Sequence, residues 1–219
     1  MTIKVSNFIS RFYYFHTMLM KLIAIWLIIF AGCISGCKKA SDDNLLSYTI
    51  TVESANATGG ITVNKCYLDL YNGKSFAYDE AKAHALNLDF FYYYTIASPP
   101  ILYVRGFDDI RFCGASTGFD TVTTSLIDYA SNYGVSAADF DNLKTSGDID
   151  RLQSQKQIDW TGNEIRAEVS NLNDDSPYCQ IFAFVTNNRK KGFFKILPYT
   201  TQVPATDKAP LTLVVKIQR

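Results

Sequence analysis

The chain has 219 residues with 21 basic and 21 acidic side chains, 47% apolar residues and 14% aromatic ones. A net charge of zero gives no electrostatic footprint for nucleic acid, which is not an expected partner. The apolar content is ample for one packed domain, and the length hardly serves two once the leader is set aside.

Residues 22–31 (LIAIWLIIFA) form an apolar run preceded by Lys21. A membrane span needs about 20 apolar residues, so this shorter run is expected to be the apolar part of a signal peptide, with Lys21 as its cationic flank. Small residues then precede two cysteines: Ala31-Gly32 before Cys33, and Ser35-Gly36 before Cys37. This arrangement resembles the bacterial lipobox, in which an aliphatic residue and two small residues precede a cysteine. In that family the cysteine is diacylated and becomes the mature N-terminus. Cys37 has the aliphatic Ile34 three positions upstream, where Cys33 has Phe30, and Lys38-Lys39 end the apolar segment directly after Cys37. Cys37 is therefore the expected lipidation site, with Cys33 the alternative and an uncleaved anchor the third reading. A zinc site would need a second ligand pair nearby, and none is present. A disulfide across four residues of an apolar helix is geometrically awkward.

Residues 1–17 put aromatics where a cationic segment belongs and would lengthen the signal peptide to 36 residues. Initiation at Met18 or Met20 gives the more usual length, so 1–17 are expected to be a misassigned upstream extension and 18–36 the signal peptide. Residues 37–46 read as a polar tether. A Lys- or Ser-then-acidic stretch such as Lys38 to Asp43 resembles the surface-export signal of Bacteroidota lipoproteins. That resemblance implies a lipid-anchored protein on the outer membrane, exposed at the cell surface.

From Cys37 onward 183 residues remain, carrying 18 basic and 21 acidic side chains, because Lys4, Arg11 and Lys21 leave with the leader. All three methionines and His16 also precede Cys37, which leaves His84 as the one later histidine. So poor a supply of soft ligands predicts neither a metal site nor a cofactor. Cys66, Cys113 and Cys179 are odd in number and match no metal-binding spacing; buried thiols are expected, with one disulfide plus a leftover as the alternative.

The rest reads as one β-rich domain over residues 47–219. Residues 47–53 (SYTITVE) alternate as a strand, and residues 61–71 (ITVNKCYLDLY) do so over a longer run with Cys66, Leu68 and Leu70 on one face. Asn72-Gly73 supplies a turn. A helix is expected over 78–85. Residues 88–95 (LDFFYYYT) favour a strand, and their unbroken apolar character predicts packing on both faces. A second helix is expected over 120–132 with Gly134 as its stop, and a third over 137–144 capped by Ser136. Residues 179–186 (CQIFAFVT) and 193–197 (FFKIL) flank a polar loop with a late glycine and read as a hairpin. Residues 211–217 (LTLVVKI) give a last strand. The expected fold is mainly β, with sandwich-like antiparallel sheets and two or three short peripheral helices.

Catalytic patterns are sparse. Gly73-Lys74-Ser75 looks like the end of a phosphate-binding loop, but that motif needs a glycine where Leu68 stands. Nucleophilic catalysis usually needs a basic partner, and His84, in a polar helix, reads as a solvated surface histidine. The acid pairs Asp108-Asp109 and Asp174-Asp175 read as loop acids rather than a glycosidase pair, since adjacent side chains diverge. No enzyme is expected. For ligand binding the candidates are Tyr92, Tyr93 and Tyr94, whose rings could stack on a sugar or flat cofactor, although 24 aromatics after Cys37 are more simply a packed core.

The strand Tyr67-Leu68-Asp69-Leu70-Tyr71-Asn72-Gly73-Lys74 resembles the DLxTGK element of HmuY-like haemophore lipoproteins of Bacteroidota and related uncharacterised lipoproteins. Phe184-Val185-Thr186, the turn to Gly192, Phe193-Phe194-Lys195-Ile196-Leu197 and the final strand from Leu211 follow in that family's order. Asn87 to Tyr93 followed by Ala97-Ser98-Pro99 is similar to a pattern of the uncharacterised relatives. The resemblance is scattered over about 150 residues and implies an antiparallel β fold. Its haem chemistry does not carry over: that family ligates iron through paired His or Met, and only His84 is available after Cys37. The expectation is a lipid-anchored binding module for nutrient capture, of a glycan, haem or peptide, beside an outer-membrane transporter. The alternative is a structural or assembly component of an outer-membrane complex.

Overall fold

Ten short strands among the described residues pair into two antiparallel five-stranded sheets whose inner faces share one apolar core. The structure, a computed structural model, describes residues 44–56, 59–95, 101–108, 117–162, 164–168, 181–197 and 208–219. Sheet A runs in the order β1 (Leu46–Val52), β10 (Leu211–Ile217), β9 (Lys191–Ile196), β8 (Ile181–Val185) and β6 (Leu126–Tyr129). Sheet B runs β3 (Lys74–Phe76), β2 (Tyr67–Asp69), β4 (Phe90–Thr95), β5 (Ile101–Gly106) and β7 (Glu164–Glu168). The expected mainly β, sandwich-like architecture is what forms.

Period-two patterning explains the core. In β10, Leu211, Leu213, Val215 and Ile217 are buried between the sheets while Thr212, Val214 and Lys216 face outward, half-buried. β4 solves the aromatic run in the same way: Phe90, Tyr92 and Tyr94 enter the inter-sheet core, and Phe91 enters a second cluster on the outer face. Both faces of the strand are packed, as the unbroken apolar run predicts.

Helices account for the outward-facing apolar groups. α1 (Gly60–Val63) and α2 (Tyr78–Ala83) lie by sheet B, where Ile61, Tyr78 and Ala81 join Cys66, Tyr67, Phe76, Phe91 and Phe107. α3 (Ala137–Asp141) and α4 (Ser146–Lys156) cover sheet A, packing Phe140, Leu143, Ile149 and Leu152 against Ile181, Ala183 and Phe193. Ser136 caps α3, its hydroxyl accepting the Asp139 N–H at 3.1 Å, and Thr145 caps α4 likewise at 3.2 Å from the Asp148 N–H. The Lys216 ammonium donates to the carbonyls of Phe140, Asp141 and Leu143 at 2.9, 3.0 and 3.1 Å, tying the end of α3 to the sheet beneath it.

Several expectations are corrected. Residues 61–71 are not one strand: α1 occupies the first part and β2 begins only at Tyr67. Gly59 and Gly60 adopt φ of 95° and 60°, and the Asn64 amide donates to the Ser54 carbonyl at 2.8 Å, so the chain turns before extending. Cys66 consequently lies in the outer cluster while Leu68 and Leu70 lie between the sheets. The helix expected over 120–132 is irregular chain, β6 and a 3₁₀ turn, Ala130–Tyr133. Thr121-Val122-Thr123-Thr124 is a β-branched run that disfavours helix, and β6 is held by pairing of Leu126–Tyr129 with β8. Gly134 does end the 3₁₀ turn, at φ 71°. The other two expected helices are shorter than the sequence suggests, and α4, β5 and β7 have no counterpart among the expected elements.

Candidate functional site

A two-sheet sandwich has two flanks, each where an edge strand of one sheet meets an edge strand of the other. One flank is closed by β6 and β7. The Ile127 N–H donates to the Gly162 carbonyl at 2.8 Å, and the Tyr129 phenol accepts the Arg166 N–H at 2.5 Å. On the opposite flank β1 and β3 meet with the Ser75 hydroxyl donating to the Thr51 carbonyl at 2.9 Å. Beside that contact lies a groove of about 510 Å³, lined by Thr49, Thr51, Lys65, Lys74, Glu80 and His84, with Ser75 and Phe76 between them.

Local sequence places each wall. Asp69 fastens the turn after β2, accepting the Asn72 N–H at 3.0 Å and its side-chain amide at 2.7 Å. Gly73 then takes φ 65° directly over the Tyr48 ring, where a Cβ would stand 3.0 Å from two ring carbons. Glycine lets the turn sit this close to β1 without backbone strain or displacement of the Tyr48 ring, and the turn delivers Lys74 and Ser75 to the groove. Lys65 is fixed through its backbone: its carbonyl accepts the Glu53 N–H at 3.0 Å, and its N–H donates to the Glu53 carboxylate at 3.1 Å. The imidazole of His84, at the end of α2, stacks on Phe76 with ring centroids 4.5 Å apart and planes 17° apart.

The groove carries a positive surplus. Lys65 and Lys74 are exposed, and neither forms an ion pair with a described residue. The Glu80 carboxylate is turned back to the start of α2, accepting the Ala77 N–H at 3.4 Å. Hydroxyls of Thr49 and Thr51 supply donors and acceptors between the charges, and Ser75, whose proton goes to the Thr51 carbonyl, adds an acceptor.

Inward of the same turn sits a buried carboxylate. Asp89 accepts the Leu70 N–H at 2.9 Å, the Asn187 N–H at 2.9 Å and the Ser125 hydroxyl at 3.1 Å, which joins sheet B to the β8–β9 turn and the segment before β6. Burial, reinforced by the charge of nearby Asp69, pushes Asp89 up to about 7 although its three donors pull the other way. Burial, with Asp89 and Asp69 adding, likewise raises the Tyr48 phenol well above its ordinary range.

Of the three tyrosine candidates, the structure places two inside. Tyr92 is fully buried and donates to the Ala209 carbonyl at 3.1 Å; Tyr94 is buried and its N–H donates to the Ser54 hydroxyl at 2.9 Å. Tyr93 alone is half-exposed, on the outer face of sheet B, its ring 6.3 Å from that of Tyr103. Arg105 and Arg166 lie 5.2 and 5.9 Å from the Tyr103 ring centre, and Arg105 pairs with Glu164 at 2.8 Å. The structure therefore separates the three rather than gathering them in one platform. Cys33, Cys37, Cys113, Cys179, Asp109, Asp174 and Asp175 lie outside the described residues. His84 and the Gly73-Lys74-Ser75 segment line the groove; Thr49, Thr51 and Lys65 join them there although no sequence motif marks them. Among the described residues no group of three His, Cys, Asp or Glu side chains could hold a metal ion, and no helix is long and apolar enough to cross a membrane.

No family model, no curated protein and no solved structure matches the chain.

Proposed function

We propose that this is a lipid-anchored protein of the bacterial cell envelope, held on the outer membrane through Cys37, whose sandwich captures a ligand and does not transform it. The groove beside β1 and β3 carries the reading. Its volume lies within the range of ordinary ligand sites, and its lining of threonine hydroxyls between Lys65 and Lys74 suits an anionic, hydrogen-bonding ligand. Its two acid–base candidates are already engaged, His84 against Phe76 and Glu80 with the backbone of its own helix, which favours binding over chemistry. The sequence context of a surface lipoprotein makes nutrient capture for an outer-membrane transporter the natural setting. Haem is a weaker choice, because His84 is the one imidazole after Cys37 and no methionine follows it.

The test is a titration of acidic and neutral oligosaccharides and peptides into the full chain in detergent micelles, read by calorimetry. Reversing both charges, Lys65→Glu with Lys74→Glu, should weaken any anionic ligand at least ten-fold and leave the thermal midpoint nearly unchanged. A ligand whose affinity is the same in both forms binds elsewhere and excludes the groove as its site.

A further inference from the structure

Backbone direction along β1 is fixed at two points. The Glu53 N–H is donated to the Lys65 carbonyl, and the Thr51 carbonyl accepts from Ser75, so both residues turn their backbone groups away from β10 and toward the groove. Strand periodicity gives Thr49 and Ser47 the same direction. Neither has a hydrogen-bond partner along this edge among the described residues. A free edge is a template for another strand, and proteins normally guard it by shortness, by charge, by proline or by a bulge. β3 has three residues, and β6 and β7 close on each other. Ser75 and Lys65 cover this edge at Thr51 and Glu53, but from Ser47 to Thr49 β1 has no such guard: its seven residues (LSYTITV) include no charge and no proline, and its register with β10 runs without a bulge from Leu46↔Ile217 to Val52↔Leu211.

Building on the groove as the binding site, we propose that β1 is a strand-addition site: an extended, carboxylate-bearing segment of a partner protein pairs with Ser47–Thr49 and lays an acidic side chain beside Lys65 and Lys74. Main-chain bonds to an edge give affinity and the flanking side chains give selectivity. Charge complementarity selects this occupant. A second copy of the chain, pairing β1 with β1 about a two-fold axis, would bring two like pairs of lysines together. It would also compete with Ser75 for the Thr51 carbonyl.

Thr49→Pro tests the idea, since proline deletes an N–H that β10 does not use and is tolerated at a strand edge. The probe is a fluorescein-labelled heptapeptide alternating valine and threonine about a central glutamate, titrated into the full chain in micelles and followed by anisotropy. Binding should be saturable and at least ten-fold weaker for Thr49→Pro, for Lys74→Glu, and for the same peptide with a central lysine. An N-methylated peptide on the unaltered chain should lose affinity equally, which keeps the test open if the proline variant does not fold. Equal binding of methylated and unmethylated peptides would overturn strand addition, while loss with Lys74→Glu would still keep the groove. Strand addition is likewise overturned if a galacturonic acid tetramer binds, is lost in Lys74→Glu and is untouched by Thr49→Pro. A concentration-dependent dimer in ultracentrifugation that Thr49→Pro dissolves would make a second copy the occupant and also overturn it. Failure of every probe on the unaltered chain would sink both readings.

Discussion

Asp89 is expected to make stability fall as pH rises from about 4 to about 7, against the usual behaviour of paired carboxylates. Its folded-state value of about 7 lies above the ordinary 3.8, so the folded chain holds this proton more tightly than the unfolded chain does. The stabilisation is complete below about pH 4 and is lost as pH rises toward 7. The gap between those two values, at about 1.36 kcal/mol per pH unit, bounds the loss at roughly 4 kcal/mol, a large share of a domain's net stability. Asp139 and Asp148 are shifted the opposite way, the first mainly by the Ser136 N–H and the second mainly by the Lys144 N–H. Their contributions are lost only as pH falls below about 4, so they leave the window above it undisturbed.

Asp89→Asn isolates the effect. It keeps one oxygen for two of the three donors but turns an amide N–H toward the third, so it should cost about 1–3 kcal/mol near pH 7, where the native carboxylate is itself half-ionised. Urea unfolding midpoints at about pH 4.5, 5.5, 6.5 and 7.5 give the comparison. Stability of the native chain should decline across this series, and the amide variant should decline less, narrowing the gap at the alkaline end. Parallel profiles for the two chains would refute the assignment of the titration to Asp89.

Four further outcomes are expected. Cys37→Ala should abolish labelling with a palmitate analogue and leave unprocessed precursor; normal labelling there with loss in Cys33→Ala would move the anchor to Cys33. Translation begun at Met18 should preserve membrane targeting, and loss of the protein from the membrane fraction would show that residues 1–17 belong to the leader. Gly73→Ala should lower stability by about 1–3 kcal/mol in chemical denaturation, from positive φ and contact with Tyr48, and an unchanged midpoint would contradict the close turn. Haemin should associate weakly, without a six-coordinate His or Met spectrum; a saturable one-to-one complex with a sharp low-spin Soret band, lost in His84→Ala, would promote haem to the ligand.

The strands that can be read from the sequence are those whose two faces meet different surroundings or whose turn chemistry is local. β1 and β10 alternate, the polar run after Thr186 marks the β8–β9 hairpin, although Gly192 itself lies in β9 and Arg189 takes the turn's positive φ of 66°, and β10 occupies the residues expected of it. Elements decided by distant partners cannot be read in this way. β6 exists because β8 offers Phe182–Val185 to it, and nothing between Thr121 and Tyr129 announces that partner. α4 is legible in principle from Thr145 and Asp148, a capping pair three residues apart, but its polar sequence hides the two residues, Ile149 and Leu152, that seat it.

The groove is illegible for a more basic reason. Thr49 and Thr51 look like any outward positions of an amphipathic strand, and sequence cannot say whether such a strand is central or at an edge. That distinction depends on β10, from the far end of the chain, pairing on one side only, and on β3 being too short to take the other side. Lys74 and His84 stand out in the sequence only as fragments of catalytic motifs, which they do not satisfy. Their shared setting arises from backbone events: Gly73 settling over Tyr48, and α2 carrying His84 back over Phe76. The proposed binding surface, a stretch of edge from Ser47 to Thr49 with no partner among the described residues, needs no catalytic side chain. Its donors and acceptors are peptide groups that nearly every residue carries, and their availability is a property of topology.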